Sequence, residues 1–214
     1  EYNPYITGAG SEEYFMNLIA DAMEPYLTAN TIRFTRNTPD MTAASSIRQA
    51  NSGSYDFYLA LHSNASTDGS REGTVRGVIA FYYPGSANGK RAAGIFVRNL
   101  KDVYPLPDKV YASATTALGE VRQPYMPSVL LELGYHDNTA DALWVENNLE
   151  AIAANLVLSL TEYFGLPFVV PLTPWRGTVR TQGSPLNLRT APALNGAVAA
   201  AMPDGAPVTV YGRY

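Results

Sequence analysis

Apolar positions along this chain recur with two alternating periods, and the alternation predicts its architecture. Phe15, Leu18, Ile19, Ala22, Met23 and Tyr26 share one helical face. Ser11 stands before it as N-cap, with the acids Glu12 and Glu13 in the positively polarised first turn. Pro25 near the end of that face is expected to stop or bend the helix. Residues 31–35 are a short strand candidate, and 41–51 read as a helix running into a turn at Gly53. The run DFYLALHSNA at 56–65 is apolar in its first half, as in a strand buried on both faces of a sheet. Residues 75–83 form another β-rich run, followed by a helix marked by Ala92, Ile95, Phe96, Asn99 and Leu100. Pro105 and Pro107 open a loop before a weak element around 112–121. SVLLEL at 128–133 is a second buried strand, ending in the polar cluster GYHDN at 134–138. One long helix follows, with Ile152, Leu156, Leu160 and Phe164 on a stripe and Gly165 as its stop. Strand and helix thus alternate from Gly10 to Gly165, which predicts an α/β fold with a mainly parallel twisted sheet covered by helices on both faces, in three layers.

Beyond Phe168 the texture changes. VVPLTPW at 169–175 reads as a Pro-punctuated connector. Four short β runs at 177–181, 186–189, 198–202 and 208–211 then predict a small all-β module. With about 40 residues it falls below the usual size of a self-supporting domain, so it reads as partial. The expected division is a first domain over 1–168, a linker over 169–176 and a truncated β module over 177–214.

Composition narrows the function. The 214 residues, 46% hydrophobic and 16% charged, describe a folded chain with room for one sizeable core. A net charge of −4 gives no basic footprint for nucleic acid. No stretch approaches the roughly 20 apolar residues of a membrane span, and no charged and then apolar leader stands at the start. The chain opens on Glu1 without a Met, as a processed protein or a fragment would. The absence of cysteine excludes disulfides and thiolate metal sites, so a metal would have to use His, Asp, Glu, backbone or water.

The two histidines, His62 and His136, both lie just past the end of a predicted buried strand. If those strands are neighbours, both loops meet on the sheet rim where α/β folds bind ligands, and the helix start carrying Glu12 and Glu13 lies on the same rim. Glu132 is the least expected residue of its apolar run, because a buried carboxylate needs a partner, a proton or a cation. A His/Glu set with one open position is what a catalytic zinc uses, and a nearby carboxylate then serves as base and proton donor. Structural readings stand beside these: His62 as a satisfied core histidine, Glu12 and Glu13 as first-turn acids, residues 136–138 as a helix cap, and Glu132 paired to Arg36, Arg48 or Arg122. No G-x-S-x-G elbow and no dinucleotide or phosphate loop is present.

With these residues assembled, residues 1–165 resemble the zinc-dependent N-acetylmuramoyl-L-alanine amidases of bacterial cell walls. LALHSNA at 59–65 is similar to the family's S-I-H-A-N-A, which makes His62 a zinc ligand; Glu13, four residues before Asn17, matches the metal glutamate of E-x-x-x-N-L; MPSVLLELG at 126–134 matches M-P-A-V-L-V-E-L-G, which makes Glu132 the catalytic carboxylate. Residues 35–36, 48–51, Arg122 and YFG at 163–165 are supporting matches. The chain departs from the family in lacking the first strand and its D-P-G-H-G-G histidine. It also carries YHDN at 135–138 where F-I-S-N is usual. Candidates for the missing ligand are His136, Glu1 and Glu12, and the resemblance points to Asn64 and Arg122 for substrate contacts, Arg122 alternatively pairing with Glu120. The tail, with GSPLNLRTAP at 183–192 and PDGAPVTV at 203–210, resembles the opening of a bacterial SH3-like domain, a module that binds cell-wall peptide or glycan.

The resemblance implies a secreted or wall-associated hydrolase that cuts the amide between N-acetylmuramic acid and L-alanine in peptidoglycan. It implies Zn2+ as cofactor, held by Glu13, His62 and a third ligand, with Glu132 activating water. Two alternatives stay open: a catalytically silent peptidoglycan-binding protein of the same fold, and a zinc peptidase acting on wall peptides. The oligomeric state is not legible.

Overall fold

The computed structural model describes residues 3–67, 71–191 and 193–213. Its elements in chain order are α1 (Glu12–Ala29), α2 (Ala43–Ser52), β1 (Tyr58–Asn64), β2 (Val78–Tyr82), α3 (Ala87–Leu100), β3 (Val110–Ala114), α4 (Gly119–Arg122), β4 (Ser128–Tyr135), α5 (Thr139–Asn147), α6 (Leu149–Phe164), β5 (Val170–Thr178), β6 (Leu186–Arg189), β7 (Val198–Met202) and β8 (Pro207–Arg213). The central sheet has the order β1-β4-β2-β3. Its β1–β4 and β2–β3 pairings are parallel and its β2–β4 pairing is antiparallel. The fold is therefore α/β with a mostly parallel sheet flanked by helices.

Period two decides what each strand buries. Leu59 and Leu61 of β1, Val129, Leu131 and Leu133 of β4, and Val78 and Ala80 of β2 face the main core, with α1 and α3 each packed on α6. The opposite face holds a far smaller cluster, in which Tyr58, Ala60, Leu130 and Phe81 meet Val121 and Leu118 at the short helix α4. Full burial of both faces, expected for the 56–65 run, is not what forms, because four residues of α4 cannot cover a sheet. His62 and Glu132 have the parity of this thin face, and they are register partners across β1 and β4.

Several expectations shift. Pro25 lies inside α1 without ending it. Residues 31–35 form no strand. The weak element at 112–121 resolves into the end of β3 and the single turn α4, and the long terminal helix is two helices meeting at Asn148. Gly165, left-handed at φ 69°, closes α6 as expected, a conformation costly for other residues. Most of the 169–175 connector is strand, since β5 starts at Val170 and pairs antiparallel with β8. β6 and β7 form a second two-stranded sheet.

A buried carboxylate pins the top of the sheet. Asp141, fully buried, accepts from Arg76 Nε (2.8 Å), Gly77 N (3.0 Å), Tyr104 Oη (2.6 Å) and Tyr135 N (3.1 Å). Gly77 is needed there: its φ is 143°, and a Cβ would stand 2.7 Å from the Lys109 carbonyl oxygen.

Candidate active site

The end of β1 meets the end of β4 and the start of α1, and the ladder loses register between His62 and Asn64. This irregularity leaves Ser63 buried while His62 and Asn64 line a cavity of about 330 Å³, together with Asn3, Pro4, Glu12, Ala65, Thr67, Glu132 and His136. The loop after β1 is tied down by Asp137, whose Oδ2 accepts from Ser66 N and Thr67 N, both at 2.8 Å.

His62 is clamped between two carboxylates. Its Nδ1 lies 3.0 Å from Glu12 Oε1, and its Nε2 lies 3.0 Å from Glu120 Oε2. Burial opposes a charge on the ring, but the hydrogen bonds to Glu12 and Glu120, reinforced by their charges, outweigh it and push the imidazolium up to about 10. Burial likewise tends to raise the Glu12 carboxyl, and the bonds from His62, Asn3 and Ser63 N win, holding it below the usual range. Glu120 is lowered against its own burial by His62 and by the Tyr58 hydroxyl, which donates to Oε1 at 2.8 Å. Glu132 goes the other way. Burial raises its carboxyl to about 7, helped by the charges of Glu12 and Glu120 and opposed by that of His62. Its Oε2 is buried with no hydrogen-bond partner.

The structure brings Glu12, His62, Asn64, Glu132 and His136 to one cavity and leaves others outside. Glu13 is not there. It lies about 100° round the helix from Glu12, is exposed, and among the described residues makes no bond to His62. Glu12 continues the stripe of Phe15, Met16 and Ile19 that α1 buries, and so it turns inward. Glu1 lies outside the described residues, as does Pro192 of the tail motif. Arg122 is exposed, and both oxygens of Glu120 are engaged by Tyr58 and His62, so the pairing of Arg122 with Glu120 does not form. Arg36 is occupied by Asp21 and Glu24, and among the described residues no Arg or Lys forms an ion pair with Glu132. Asn138 caps α5, as its structural reading held, while His136 is buried, its ring stacked on Tyr5 and its Nδ1 2.9 Å from the Ser63 carbonyl oxygen. Sequence reasoning missed Glu120. The parity of Tyr58 with His62 puts both on one face of β1, but nothing in the sequence marks Glu120, on the single turn α4, as the acceptor between them.

The family model for N-acetylmuramoyl-L-alanine amidases matches residues 5–162, well over half of the chain. The chain belongs to that family. As an amidase of this kind it is a hydrolase of peptidoglycan. The amidase fold recurs in solved structures. The catalytic domain of CwlV from Bacillus (Paenibacillus) polymyxa var. colistinus is 20% identical, with a TM-score of 0.63 over 75% of this chain and 89% of that one. The N-acetylmuramoyl-L-alanine amidase of Clostridium difficile 630 is 18% identical, with a TM-score of 0.61 over 74% and 87%. The catalytic domain of the CD27L endolysin, which targets Clostridia difficile, is 21% identical, with a TM-score of 0.56 over 75% and 93%. No curated protein sequence matches the amidase. Among its described residues no helix is long and apolar enough to cross a membrane, and no three His, Asp or Glu side chains stand as a ready-made metal cage.

The donor chemistry of the cavity nonetheless suits a divalent cation. One imidazole and several carboxylates are the ligand types zinc takes in the absence of thiolates, and the orphaned Glu132 Oε2 is a buried acceptor in want of positive charge. A proton between His62 Nδ1 and Glu12 is what a cation would displace. His136 adds a second imidazole to the lining; a tautomer donating from Nδ1 to the Ser63 carbonyl would leave a lone pair on Nε2.

Proposed function

We propose that this amidase cuts the bond between the lactyl carbonyl of N-acetylmuramic acid and L-alanine with a zinc ion held by His62, Glu12 and His136, and with Glu132 as catalytic base. Bound zinc supplies the Lewis acidity that makes water a nucleophile near neutral pH. The carrying observation is the pairing of a half-buried Glu132, whose Oε2 is buried without a hydrogen-bond partner, with the clamped His62 on adjacent strands of one cavity. Glu132 takes the proton from the attacking water as oxygen bonds to the carbonyl carbon. It then delivers that proton to the alanine nitrogen as the C–N bond breaks. Burial raises the Glu132 carboxyl in the metal-free site, the direction that favours its holding a proton between the two steps. Asn64, on the cavity wall, is the side chain assigned to the muramoyl-peptide backbone in this reading, and Arg122, which is exposed and not among the residues lining the cavity, is assigned to a peptide carboxylate.

The two-stranded tail sheets, one of which reaches back to Val170, support an SH3-like wall-targeting module that begins before the expected 177 boundary, and a secreted or wall-associated location follows from the substrate. One observation favours a second reading. Both His62 nitrogens are already satisfied by carboxylates, as in a silent wall-binding relative that has replaced its metal with a proton. Mass spectrometry of muropeptide digests separates the two. Release of intact stem peptide with a free alanine amine, lost in Glu132→Gln, is the expected result. Undigested muropeptide with zinc-loaded protein establishes the silent reading, and cleavage only between amino acids establishes a peptidase.

A further inference from the structure

The two nitrogens of His62 face different surroundings. Nδ1 meets Glu12, which lines the cavity, whereas Nε2 meets Glu120, which does not. Because they sit at opposite ends of one ring, the two carboxylates cannot both share an ion bound to it. Glu120 is itself held: its side chain is 14% exposed, and its second oxygen accepts from Tyr58 Oη at 2.8 Å. Tyr58 stands four residues before His62 on the same face of β1, and α4 lays Glu120 across that face. Hydroxyl, carboxylate and imidazole thus form an unbroken line that ends at the cavity.

We propose that Glu120 is a positioning residue, which fixes the Nε2–H of His62 and so presents Nδ1 as the metal-binding nitrogen, while Tyr58 fixes Glu120. The proposal rests on the metal reading of the same cavity. The physical reason is general. A ligand imidazole donates a lone pair from one nitrogen only, and a carboxylate on the other nitrogen sets the ring's orientation and raises its basicity. Glu120 also neutralises charge behind the ring, leaving Glu12 free to act in front of it.

The test measures zinc affinity by chelator competition, together with kcat, KM and thermal midpoint, in wild type, Glu120→Ala, Glu120→Gln and Tyr58→Phe. Glu120→Ala is expected to bind zinc about 10–100-fold more weakly. Glu120→Gln, whose amide oxygen still accepts from Nε2 without charge, should fall between it and wild type. Tyr58→Phe should weaken binding in the same direction by a smaller factor. At saturating zinc, kcat should drop with KM unchanged. If Glu120→Ala fails to fold, the other two variants carry the comparison. Wild-type affinity in the folded variants, even with a lowered thermal midpoint, overturns the proposal alone and leaves the metal reading standing. Wild type that takes up no zinc overturns both.

Discussion

Glu12 and Glu13 show what a single residue's position decides. They are chemically identical neighbours, yet one helical step puts the first against His62 and the second in solvent. The family motif spacing favoured Glu13, whereas the apolar stripe of Phe15, Ile19 and Tyr26 extends back to residue 12, so the sequence already held the periodicity that selects Glu12. His62 and Glu132 were legible as unexpected polar residues at the ends of apolar runs. Glu120 was not, because its role depends on a one-turn helix crossing another strand. Two predictions belong to this scale. Glu132→Gln should reduce kcat by about 10²–10⁴-fold with zinc content and melting temperature near wild type, measured on muropeptides. The second concerns the metal-free protein. The native state binds more protons than the unfolded chain at His62 between 6.5 and about 10, and at Glu132 between 4.5 and about 7, so both contributions fall as pH rises. Glu12 and Glu120, lowered in the fold, act oppositely and only in the acid range below 4.5. The melting-temperature advantage of metal-free wild type over His62→Ala should therefore be full between about pH 4.5 and 6.5, gone by about pH 10, and reduced again in acid as Glu12 and Glu120 take up protons. An advantage that grows with pH above 6.5 would contradict the clamp.

At the scale of elements, the site depends on β4. This strand sits between β1 and β2 and carries core residues on one face and Glu132 on the other. Leu131, fully buried on the core face, should cost about 2–5 kcal/mol when changed to Ala, read by denaturant unfolding. Asp141 gathers four donors from three segments, and Asp141→Asn should destabilise by about 3 kcal/mol, because Arg76 loses its buried partner. Strand and helix order from 10 to 165 was readable from periodicity, and Gly165 marked its end. The failures have local causes. Pro25 is tolerated within α1, whose inward stripe runs on to Tyr26 and Leu27 in the core. Residues 31–35 have strand-like composition and no neighbouring strand to pair with.

At the scale of the molecule, a one-sided core places the chemistry. Most apolar mass lies between the sheet and α1, α3 and α6, so the opposite face is thin enough to carry a histidine and two glutamates beside a cavity. Glu12 and Glu120 offset their like charges through one shared imidazolium, and in the proposed function a divalent ion would take the place of the proton on Nδ1. Zinc should accordingly raise the melting temperature of wild type and leave that of His62→Ala unmoved, by mass action on the native state alone. The measurement that bears most directly on the central claim is an anomalous-scattering map from zinc-soaked crystals. The account predicts one peak in the cavity, within bonding distance of His62 Nδ1 and Glu12 and facing Glu132. A cavity without that peak in zinc-saturated protein, His62 still clamped between Glu12 and Glu120, would contradict it.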